Sequence, residues 1–98
     1  MDQSIVKSLL MKPSQAIREG AKLVREYRKG FLFNGCGCAV GMMAAACGAT
    51  CIGDSDEAIA FLKGKVAIDP DEIFWVSNTH FFGYSANDIA NVFEQRGR

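Results

Sequence analysis

No charged residue occurs between Phe31 and Gly53, a run of 23 positions in a chain of 98. A stretch of that kind belongs in a core, a subunit interface or a bilayer rather than in water. Net charge is missing too: 11 Lys and Arg balance 11 Asp and Glu, so the chain as a whole exerts no pull on polyanions. Histidine is scarce, with His80 alone, so any nucleophile has a single imidazole to call on. The two prolines, Pro13 and Pro70, both stand at helix starts. No low-complexity linker and no internal repeat divides the chain, which points to one domain over residues 1–98. The first ten residues include Asp2 and Lys7 and lack an apolar core segment, so no secretory signal is legible. The expected setting is therefore cytoplasmic and reducing, with the four cysteines as thiols. Phosphate-cradling loops and a nucleophile elbow are absent as well, and strand signal is almost absent.

What is present is helical. Residues 1–12 carry Ile5, Val6, Leu9 and Leu10 at helical spacing and predict a short helix or a mobile arm. Ser14, as N-cap, predicts a helix from there to about Arg28, with Gly30 after its end. Ala16, Ile17, Gly20, Ala21, Leu23, Val24 and Tyr27 share its apolar face, and Arg18, Lys22, Arg25 and Lys29 form a basic stripe. Phe31 to Gly35 reads as a short extended piece and a turn. The next helix, about 38–48, has small residues on every side and should be central and surrounded. Asp54 with Glu57, Asp69 with Pro70 and Glu72, and Ser85 with Asp88 then open three further helices. Gly64 stops the first of these, a loop runs from Asn78 to Gly83, and Ile89, Ala90, Val92 and Phe93 face inward on the last. The expected fold is all-α: a compact single domain of five or six short helices around the 38–48 helix.

The charge-free run is long enough to cross a bilayer, and basic sequence precedes it while acidic sequence follows. Asn34 and five glycines interrupt it, so the expectation is a buried helix and no membrane span. Its cysteines raise metal chemistry, since four thiolates suit zinc or an iron–sulfur cluster. A helix between Cys38 and Cys47 would hold those two about 13 Å apart along its axis. Neither Cys36-x-Cys38 nor Cys47 with Cys51 has the usual C-x-x-C spacing. The expectation is no metal, no cofactor and buried small thiols.

Two site chemistries stand as rivals to an interaction surface. A thiol-dependent enzyme or redox sensor would use Cys36 or Cys38 with His80 as base. Nucleic-acid binding would use Arg18, Lys22, Arg25 and Lys29 along the first helix, against which the balanced charge and the missing recognition motif both weigh. The last helix resembles the first helix of a helix-turn-helix, with no recognition helix after it.

Three stretches carry a wider likeness across most of residues 14–94. These are the AIREGAKL first helix, CAVGMMAAACG, and the Asn78 loop followed by Gly83-Tyr84-Ser85. Together they resemble a family of small helical bacterial and phage proteins of unknown function. That family has a Cys-Ala-Leu-Gly-Ala helix, an Asn-Asp loop and a Trp-Ser-capped last helix. Here Val40 stands for the leucine, Thr79 for the aspartate and Tyr84 for the tryptophan. The resemblance implies a compact helical fold and brings no activity with it.

The sequence therefore leans away from an enzyme and toward a non-enzymatic protein-interaction or regulatory module. Self-association as a homodimer is expected, or binding of another protein. Its contact would come from Ile5, Val6, Leu9 and Leu10, or from Trp75, Phe81, Phe82 and Tyr84. Residues 1–30 hold seven basic and three acidic side chains, and residues 54–98 hold four and eight, so opposite halves of two copies attract.

Overall fold

Side chains open the last three helices where the sequence places them. Asp54 accepts the amide of Glu57 at 2.8 Å, and the Glu57 carboxylate reaches back to the Gly53 amide at 2.6 Å. Ser85 and Asp88 form a complete capping box, and the Glu72 carboxylate accepts the Asp69 amide. Each satisfies backbone donors that a helix start leaves open. A computed structural model describes residues 10–26, 36–49 and 52–98, apart from the side chains at 80 and 81. Five helices lie among them: α1 Pro13–Ala21, α2 Ala39–Ala46, α3 Ser55–Leu62, α4 Pro70–Phe81 and α5 Ala86–Gln95. Two short strands, β1 Arg25–Glu26 and β2 Cys36–Gly37, lie between α1 and α2 and pair in parallel, Arg25 opposite Cys36 and Glu26 opposite Gly37. A further parallel bridge joins Met11 to Val66. The fold is thus predominantly helical but not purely α.

The centre is α2. Residues Ala39 to Ala45 are all buried, and α1, α3 and α4 all pack against the helix. Its small side chains let backbones close in. A Cβ on Gly20 of α1 would stand 1.7 Å from the Met42 carbonyl oxygen, so only glycine fits this crossing. Phe93, Ile17, Met42, Met43, Leu62 and Ile73 fill the space around it. At the C-terminal end Gly48 takes φ +96, the left-handed turn that glycine adopts without strain.

Four expectations about the helices are corrected. The first helix ends at Ala21 rather than near Arg28, because the chain beyond it pairs with β2 and places Arg25 and Glu26 in a strand. Ala21 and Leu23 are consequently exposed. Ser14 is not the N-cap; Lys12 holds that position with Pro13 at N1, and the buried Ser14 hydroxyl donates to the Arg98 carbonyl at 2.6 Å. The expected loop from Asn78 is helical through Phe81, and the Phe82 amide still donates to the Asn78 carbonyl at 3.0 Å. Val92 is half-buried rather than fully inward. The expectations for residues 1–9, for Tyr27 to Gly35 and for Cys51 fall outside the described residues.

Candidate interaction surface

Helix α4 turns Ile73 and Val76 into the core and leaves its aromatics outside. Phe74 is 46% exposed, Trp75 37%, Phe82 77% and Tyr84 54%. At 100° per residue, Asp71, Phe74, Trp75, Asn78 and Phe82 fall within about 100° of arc on one face. Tyr84 follows in the link to α5. Trp75 rests edge-on against the buried Phe93, ring centroids 5.8 Å apart, and the Arg96 guanidinium lies 5.8 Å from its centroid. The base of this face is therefore fixed by the core, while its outer rings meet solvent. Phe81 is in the last turn of α4, its side chain outside the described set.

The basic stripe does not survive as a face. Arg18 donates to Glu94 at 2.8 Å and to the side-chain oxygens of Asn87 and Asn91, each at 2.7 Å, clamping α1 to α5. That contact holds the Glu94 carboxyl below its usual range. Lys22 pairs with Glu19, Arg25 belongs to β1, and Lys29 lies outside the described residues. Aligning the four cations needed a helix through Lys29, and the helix stops before Lys22.

The thiol candidates are separated rather than assembled. Cys38 caps the N-terminus of α2 and Cys47 its C-terminus, with unbroken helix between them. Burial pushes the Cys38 thiol up, against the lowering effect of backbone amides at Gly41 and Val40. Cys47, half-buried, is likewise raised by desolvation, with Lys65 acting in the opposite direction. A raised thiol is a poorer nucleophile at neutral pH. Cys36 is half-buried in β2, and His80 lies in the last turn of α4 instead of a loop. Among the described residues no three His, Cys, Asp or Glu side chains are grouped to hold a metal ion. No helix among them is long and apolar enough to cross a membrane.

Sequence inspection did not single out Arg98, and the structure makes it a junction. Its guanidinium binds both Glu72 carboxylate oxygens and the Ala67 carbonyl, and lies 5.7 Å from the Phe93 ring centroid. Gly97, at φ +74, turns the chain back so that the Arg98 amide donates to Phe93 at 2.8 Å. The Arg98 contact lowers the Glu72 carboxyl, partly offset by desolvation. Arg98 also lines an open cleft of about 620 Å³, together with Ile59, Val66, Ile68, Ile73, Lys63 and Asp69. A second open cleft of about 410 Å³ lies between α1 and the start of α5, with Arg18, Lys22 and Glu26 in its lining. Compared with known protein families, curated proteins and solved structures, the chain matches none.

Proposed function

We propose that the protein is a non-enzymatic protein-interaction module whose partner docks on the aromatic face of α4. The observation that carries this reading is the exposure of Phe74, Trp75, Phe82 and Tyr84 together at one helix and its following link. Single exposed apolar side chains are ordinary, but grouped rings with a rigid base are what interface centres are built from. The chemistry of the thiols supports the same reading, since burial pushes both Cys38 and Cys47 away from the reactive thiolate. A reducing cytoplasmic setting suits these unpaired thiols.

Site-specific photo-cross-linking tests the reading. A benzophenone amino acid is placed at position 82 on the face, or at position 56 on the exposed part of α3, in cells making the protein. The expected result is a discrete adduct from position 82 that is missing from position 56 and disappears when Phe74→Ser is added. No adduct from position 82, or the same adducts from both positions, would overturn it.

A further inference from the structure

We draw no further inference here: the strongest candidate, the open apolar cleft between α3 and the start of α4 beside Arg98, carries nothing, because Lys63 and Asp69 of opposite charge both line it and nothing in the structure shows what covers it.

Discussion

Helices α2 and α4 place their side chains in opposite ways. The small residues of α2 are buried on every side, whereas the large aromatics Phe74, Trp75 and Phe82 of the α4 face meet solvent. Hydrophobic area alone would put the rings inside first. The seam between α1 and α2 instead requires backbones in contact, which Gly20 permits because it has no Cβ, and Met42 and Met43 fill what remains. The most enclosed helix is therefore the one with the smallest side chains, and exposed apolar surface is found where they are largest.

The largest expected effect tests the seam. Gly20→Ala drives a methyl into the Met42 carbonyl and is expected to cost about 3 kcal/mol, at the upper end for overpacked sites. Tyr84→Ser, beyond the end of α4, should change stability by no more than about 0.5 kcal/mol. Urea unfolding of both variants checks the pair. Equal losses would break the contrast between the two helices.

Much of this layout could be read from the sequence. The Ser85–Asp88 box and the Asp54 cap are local devices, and both sit where their residue types predict. Helix α2 was legible because it has no polar side to turn outward. The overlong first helix shows what local pattern misses. Its periodicity continues to Tyr27, but pairing of Arg25 and Glu26 with Cys36 and Gly37 is a long-range contact that overrides it. Arg18 was legible as a cation; its use in clamping α1 to α5 was not, because Glu94 is 76 residues away. The aromatic cluster was visible as composition, and its solvent exposure follows only once Ile73 and Val76 have claimed the core side of α4.

An intermediate effect is expected where Arg98 ties α4 to α5. Arg98→Ala should cost about 1–2 kcal/mol, since charge-assisted hydrogen bonds to Glu72 are lost at a partly exposed site. Because the Glu72 carboxyl is lowered in the folded state, its contribution is full above the ordinary carboxylate range and is lost as pH falls through the lowered value. Acid titration of stability should therefore be shallower in Glu72→Gln than in the wild type. An unchanged slope would mean that the ion pair adds nothing to the fold.

A smaller difference separates the thiols. With a neutral alkylating reagent, Cys36 should react about tenfold or more faster than Cys38, because Cys38 is buried and its thiol is raised. Site-resolved mass spectrometry reads both rates in one sample. A fast Cys38 would move the account toward thiol chemistry.

The contrast between the two helices is tested most directly by hydroxyl-radical footprinting of the native protein. Methionine oxidises readily wherever solvent reaches it, so protection at Met42 and Met43 is a stringent sign of burial. These two are expected to stay unmodified until the protein unfolds, while Phe74, Phe82 and Tyr84 are labelled in the native state. Rapid oxidation of Met42 and Met43 together with protected rings on α4 would contradict it.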